Sequence, residues 1–419
     1  MSASLTMARA TAIKVFLAFA LAYFLSALIR AITATLSPTL TQEFALTAGD
    51  LGLLAGGYFL GFAVTQLPLG AWLDRHGPKK VILWFLAVAV LGCVAFSLAT
   101  SFAGLLAARI LCGVGVSACL MAPLTGYRRW FDPGTLLRSN SWMLMTGSMG
   151  MVASTLPVQW LMPVLGWRPM FWGLAALVLL SMLLIGSLVP AWAAVTPTAV
   201  AADLDTPDAP APSYAEVWRN PYFRKLLPLA FFSYGGLVAM QTLWAAPWMT
   251  KVAGYSALEA AAGLFWINVA MLLTFWAWGL INPWLARRGW HTDRLVTRVL
   301  PYSFVVLALI IIAPEPLLAW SGALWALYCV CCTVVSLTQP AVGMAFAPAM
   351  AGRALSAYNL VIFSGVFAVQ WGVGLGIDAL RRIGLPELLA FQLTMGLFLL
   401  CCIASYLYFL LPRRHNPSR

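Results

Sequence analysis

Two arginines are the ionised side chains set deepest in apolar surroundings. Arg30 and Arg109 each lie inside a long apolar run, where a charge at the bilayer centre costs about 2.5–3.5 kcal/mol on insertion scales. A residue that expensive is a candidate for function. A guanidinium stays protonated, and its planar fork holds a carboxylate or phosphate through two hydrogen bonds. All thirteen acidic residues fall outside the interiors of the apolar runs, so two cations at one depth without a carboxylate form a site for an anion. The alternative use of each arginine is to bond backbone carbonyls or to reach toward the interface. Uncharged polar residues inside later runs rank next. Gln241 and Trp244 are three apart and share a helix face, and Asn268, Asn359 and Gln370 lie in other runs. Their alternative is interhelical hydrogen bonding, worth about 0.6 kcal/mol each on average. His76, His291 and His415 lie in polar loops or the tail, and the eight cysteines lie in apolar runs without metal-like spacing. The pattern offers no metal site, no cofactor site and no catalytic constellation, so an enzyme is not expected.

The elements that must carry these residues follow from composition. Of 419 residues, 62% are hydrophobic and 9% charged, against roughly 25% charged in soluble proteins. Such a chain cannot cover a water-facing surface, which excludes a soluble enzyme, a nucleic-acid binder and a disordered chain. A spanning helix needs roughly 20 apolar residues. Twelve such runs occur, near 13–36, 51–73, 79–100, 102–126, 140–163, 168–190, 225–249, 257–281, 296–314, 317–343, 354–378 and 386–411. The expected fold is an all-α integral membrane protein of twelve transmembrane helices in two six-helix halves, 1–193 and 224–419. A Pro- and Asp-rich linker, 194–223, joins them, with Glu216 to Arg219 as a short helix. Nineteen of the 25 basic residues fall on the side of the termini, four fall opposite, and the two buried arginines remain. Positive charge marks the cytoplasmic face, so both termini are expected in the cytoplasm of a bacterial-type inner membrane. The +12 balance then serves topology and contact with lipid, not nucleic acid, and a monomer is expected.

Between the second and third runs the chain reads GAWLDRHGPKK over 70–80. Gly70 and Gly77 allow close approach and a sharp turn. Asp74 is an anion at a helix end, able to face the positive N-terminus of another helix. Arg75, Lys79, Lys80 and, from the loop after the fourth run, Arg128 and Arg129 supply positive charge around it. The pattern closely resembles G-x-L-x-D-R-x-G-r-k, the loop 2–3 signature of the major facilitator superfamily. The resemblance extends over the whole chain by architecture. It implies alternating access of a small-molecule substrate around a site between the halves. It also implies that Asp74 meets the start of span eleven near Arg353, latching the cytoplasmic ends when the molecule faces outward. The corresponding second-half loop, 282–289, keeps Arg287, Arg288 and Gly289 but lacks the acid.

Finer resemblances point to substrate class. Arg109, Gly113 and Gly115 match a span-four R-x-x-x-G-x-G pattern of the superfamily. The span-one stretch with Arg30, Ser37 and Pro38 looks like that of the anion:cation symporter branch, whose members pair arginines of spans one and four. Ile29 and Val116 stand where that branch has acidic residues. The stretch from Tyr58 through Gln66 and Pro68 to Gly70 also resembles nitrate/nitrite-type permeases. In span seven, Gly235, Gly236 and Pro247 can bend a gating helix. The expectation is uptake of a small organic anion bound by Arg30, Arg109, Gln241, Trp244, Asn268, Asn359 and Gln370. The alternative is efflux of a hydrophobic or cationic compound, given the aromatic content. Coupling to protons lacks an intramembrane acid. The routes are a substrate carrying its own proton, a peripheral carboxylate with Asp378 best placed, or facilitated diffusion or exchange.

Overall fold

The computed structural model describes residue 7 and residues 9–191 and 214–411. The acidic linker residues Asp203, Asp205 and Asp208 lie outside these residues, as do Arg413, Arg414, His415 and Arg419 of the tail. The described residues form helices joined by short turns. Among the described residues, ten helices are long and apolar enough to cross a membrane: Arg9–Phe44, Gln66–Leu98, Phe102–Trp130, Trp167–Leu188, Pro221–Lys251, Ala257–Arg287, Thr292–Ile312, Ser321–Met344, Met350–Arg382 and Glu387–Leu410.

Twelve passes arise because two spans are interrupted. Span two begins as Ala48–Val64 and continues beyond Thr65 into the first part of Gln66–Leu98. That helix is itself two, divided at Gly77 with φ 79° and ψ 161°. Only glycine takes that conformation without strain, so the loop signature turns the chain from span two to span three at this residue. Span five is Pro133–Ala153 followed by Leu156–Leu165. Spans one, four and six are then Arg9–Phe44, Phe102–Trp130 and Trp167–Leu188, and spans seven to twelve are the last six helices above. The short helix Tyr214–Arg219 precedes span seven.

Span one differs from its expected length. Its helix runs through Pro38 to Phe44, although proline disfavours a helix interior. Ser37 donates its hydroxyl to the Ala34 carbonyl at 2.8 Å nearby. Arg30 therefore lies fourteen residues before the helix end, roughly 20 Å at 1.5 Å per residue, and not near the edge. Span seven carries two π-helical stretches, Leu229–Tyr234 and Met240–Trp244, on either side of Gly235–Ala239. Gly235 faces the backbone of Gly365 in span eleven at a separation that leaves no room for a Cβ. The expected bend in this span is thus a change of helical winding where it packs on span eleven.

Spans two and eleven run antiparallel, and they meet tightly over half their length. Near the end away from the termini, a Cβ on Gly52 would overlap the Gln370 carbonyl, and one on Gly374 would overlap the Ala48 carbonyl. Phe62 and Phe363 still touch at 4.5 Å between ring centroids. Beyond them the two helices part. Beyond their own helical turns, no described atom lies within 4 Å of where a Cβ would stand on Gly70 or Gly352. This divergence leaves a cavity between the halves, on the side of the termini.

Candidate functional site

The cavity measures about 180 Å³ and takes its walls from spans one, two, four, five, seven, ten and eleven. Arg30 is the one charged side chain among the described residues that line it. It stands beside the phenols of Tyr23 and Tyr58, and its buried Nε has no hydrogen-bond partner. Across the cavity, Gln339 of span ten donates from Nε2 to Oδ1 of Asn359 in span eleven at 2.7 Å. The pair leaves the Asn359 amide nitrogen and the Gln339 oxygen for a guest. Ser26, Gln66, Ser117 and Tyr234 add further polar edges to otherwise apolar walls. The arrangement is a cationic fork on one wall and neutral amides on the other, inside low-dielectric surroundings that strengthen both kinds of contact.

Arg109 is placed differently from expectation. It is fully buried and lies behind the cavity wall. Its Nη1 donates to the Ile29 carbonyl at 2.8 Å and its Nη2 to the Arg30 carbonyl at 3.4 Å. Its guanidinium carbon lies 5.1 Å from the centre of the Tyr58 ring, a cation–π contact. Span four thereby grips the backbone of span one at the residue that carries the cavity's charge. The two arginines do share one depth, but one faces the cavity and the other faces a neighbouring helix. Close packing brings this about: a Cβ on Gly113 would overlap the Tyr58 carbonyl and one on Gly115 the Ala89 backbone. The glycine pattern after Arg109 thus lets span four sit flush on spans two and three.

Four other expected contact residues are drawn into two buried hydrogen-bonded clusters away from the cavity. Gln241 donates to the Asn268 side chain at 2.8 Å, and Asn268 donates to the Leu264 carbonyl at 2.8 Å. Gln370 donates to the Thr242 hydroxyl at 3.0 Å, and Trp244 donates to the Gln370 carbonyl at 3.1 Å. Met240–Trp244 also packs on span one. These groups tie spans seven, eight and eleven together at the closed end. Of the seven residues singled out, Arg30 and Asn359 reach the cavity. Gln339 was overlooked, although a polar residue between Thr338 and Pro340 inside a span carries the same signal as Asn359.

The sequence profile of the Major Facilitator Superfamily matches residues 19–369. The chain belongs to this superfamily. It is therefore a multi-pass membrane protein of a transporter superfamily. A bacterial homologue of the human lysosomal transporter Spinster, solved in an inward-facing and unoccupied conformation, superposes with a TM-score of 0.76. That match covers 96% of this chain and 97% of that one at 16% identity. Among curated proteins, a "Probable L-galactonate transporter" of Escherichia coli (strain K12) is 28% identical over 138 residues, 32% of this chain and 29% of that protein. The "Probable anion transporter 4, chloroplastic" of Oryza sativa subsp. japonica is 25% identical over 142 residues, 33% of this chain and 24% of that protein. The chain thus spans less than a third of the length of these two relatives.

The superfamily's loop motif lies at the open end of the molecule. Asp74 and Arg75 are exposed, and Asp74 makes no hydrogen bond or ion pair with a described residue. Lys79 donates from Nζ to the Val189 carbonyl at 2.7 Å, at the C-terminal end of span six, where a cation suits the helix dipole. Lys80, Arg128 and Arg129 are exposed on the same side. Arg353, at the start of span eleven, lies beside Tyr214, whose hydroxyl is 3.4 Å from the Leu67 carbonyl of span two. The expected contact between Asp74 and the start of span eleven is thus not made in this state.

Proposed function

We propose that this transporter takes up a small organic anion across a bacterial inner membrane, with both termini in the cytoplasm. On this reading the cavity faces the cytoplasm, the region 194–223 links the two halves, and the protein works as a monomer. The observation that carries the reading is Arg30: a lone cation on the cavity wall, with an unpartnered nitrogen and no carboxylate among the described lining residues. A guanidinium so placed favours a negatively charged guest and repels a cation, which counts against efflux of cationic compounds. The names of the relatives, a galactonate transporter and an anion transporter, point the same way. Gln339 and Asn359 hold the uncharged end of the guest. Arg109 positions Arg30 through span one, while Gln241, Trp244, Asn268 and Gln370 close the far end. Asp74, with Arg75, Lys79, Lys80, Arg128 and Arg129 around it and Gly70 and Gly77 shaping the turn, latches the cytoplasmic ends in the opposite state.

The test is a thermal-shift screen of the purified protein against carboxylates, phosphates and hydrophobic cations. A ligand at 100 times its Kd raises stability by about 2.7 kcal/mol. Carboxylates should stabilise the parent, Arg30→Ala should abolish the shift, and Arg30→Lys should restore part of it, because lysine keeps charge without the fork. Stabilisation by cations alone, or an unchanged shift in Arg30→Ala, would refute the anion reading.

A further inference from the structure

We propose that Asp378 is the latch of the outer gate. It closes the end of spans two and eleven remote from the termini by capping the N-terminus of span two across the boundary between the halves. A helix starts with four backbone N–H groups that no helical carbonyl accepts. In span two a local capping box engages Thr47 and Asp50. Thr47 N–H donates to Oδ2 of Asp50 at 3.1 Å, and Asp50 N–H donates to the Thr47 hydroxyl at 3.1 Å. Ala48 and Gly49 are left over. Their N–H groups donate to Oδ1 and Oδ2 of Asp378 at 3.1 and 2.8 Å. One carboxylate from the other half of the molecule supplies both acceptors that the local sequence lacks. The bonds are charge-assisted and sit at the positive end of a helix.

The two kinds of cap behave differently when the halves rock. The capping box is made within one turn and persists in either state. The Asp378 bonds join residues 330 and 329 positions apart and hold only while the outer ends are together. Gly49 is part of the device, because a Cβ there would stand 2.7 Å from Oδ2 of Asp378 and displace the carboxylate. Spans two and eleven are antiparallel, so each ends in an aspartate on the side of the other's first turn: Asp378 for span two, Asp74 for span eleven. Here the first is engaged and the second is exposed. Exchange of one cap for the other accompanies alternation, and Asp378 sets how firmly the outer end stays shut. The inference rests on alternating access but not on the charge of the substrate.

The experiment uses the full-length protein purified in detergent, with Leu51→Cys as reporter. Leu51 is buried one turn into span two at the closed junction. Alkylation by a soluble maleimide is followed by mass spectrometry of the peptide carrying position 51, and in parallel of the peptide carrying native Cys112, which is buried in the wall of the first half. Asp378→Asn should speed alkylation at position 51 at least tenfold with Cys112 unchanged, and Asp74→Asn should slow it. A parental rate at position 51 in Asp378→Asn overturns the proposal. So does a parallel rise at Cys112, which would mean general loosening. Should Asp378→Asn fail to fold, Gly49→Ala carries the test: faster alkylation at position 51 supports the latch and a parental rate overturns it. Since no ligand is used, a failed anion screen leaves this result standing.

Discussion

The two ends of the helix pair formed by spans two and eleven use the same residue types to opposite effect. At the end remote from the termini, glycines bring backbone against backbone, and Asp378 accepts from two N–H groups of the facing helix. At the other end Gly70 and Gly352 face open space, and Asp74 is exposed. Glycine at a helix surface thus marks where two helices are able to meet, not where they do. The ion pairs add to the contrast. Arg168 with Glu43 at 2.6 Å and Lys225 with Asp293 at 3.3 Å each lie within one half. They brace a half without opposing movement between the halves. They are partly exposed, so each is worth roughly 0–1 kcal/mol. What holds the closed end is packing and the capping of a helix, both of which can be given up together.

Four substitutions, one of them paired with a control at the open end, break or sharpen this comparison. The largest effect is expected for Arg109→Ala, which removes the two charge-assisted hydrogen bonds that tie span four to the Ile29 and Arg30 carbonyls. It should lower stability by about 2–4 kcal/mol, read as a fall in unfolding temperature in detergent. Anion affinity of the folded fraction should stay within about threefold, a small change on the scale where tenfold is about 1.4 kcal/mol. A large loss of affinity at unchanged stability would move Arg109 into the cavity. Next is Gly52→Leu, which forces a side chain onto the Gln370 carbonyl. Overpacking costs typically about 1–3 kcal/mol, so closure of the remote end should weaken by roughly tenfold or more. Transport in vesicles should fall accordingly, while Gly70→Leu, at the open end, should leave the present state's stability unchanged.

Asp74→Asn comes third. Charge at a helix terminus is worth about 0.3–1 kcal/mol, so transport should fall about two- to fivefold, with anion affinity in the thermal-shift screen unaltered. Near-normal transport would remove its gating role. The smallest effect is expected for Gln339→Ala, which takes one amide from the wall opposite Arg30. Loss of a neutral hydrogen bond costs about 0.5–1.5 kcal/mol. Affinity should weaken about threefold, while preference for anions over neutral analogues is retained, because the charge resides at Arg30.

The residue sequence by itself determined the solvent and the spans. Twelve long apolar runs, with all charge but that of Arg30 and Arg109 between them, point to twelve helices in a bilayer, since every backbone polar group must be satisfied within the membrane. It determined the turn at Gly77 through a signature that needs glycine's conformation. It marked Arg30 and Arg109 as the two charges inside spans, whereas their shared depth is fixed by the bonds from Arg109 to the span-one backbone. What the tertiary structure decided is direction around the helix axis. A spanning helix is apolar on every face, so its periodicity does not tell lipid from cavity from neighbour. Arg30 and Asn359 turned inward, whereas Arg109, Gln241, Asn268 and Gln370 turned to partners on other spans. The cap that Asp378 provides was equally illegible, because its acceptor and donors are 330 and 329 residues apart in the chain and meet only when the two halves close on one another.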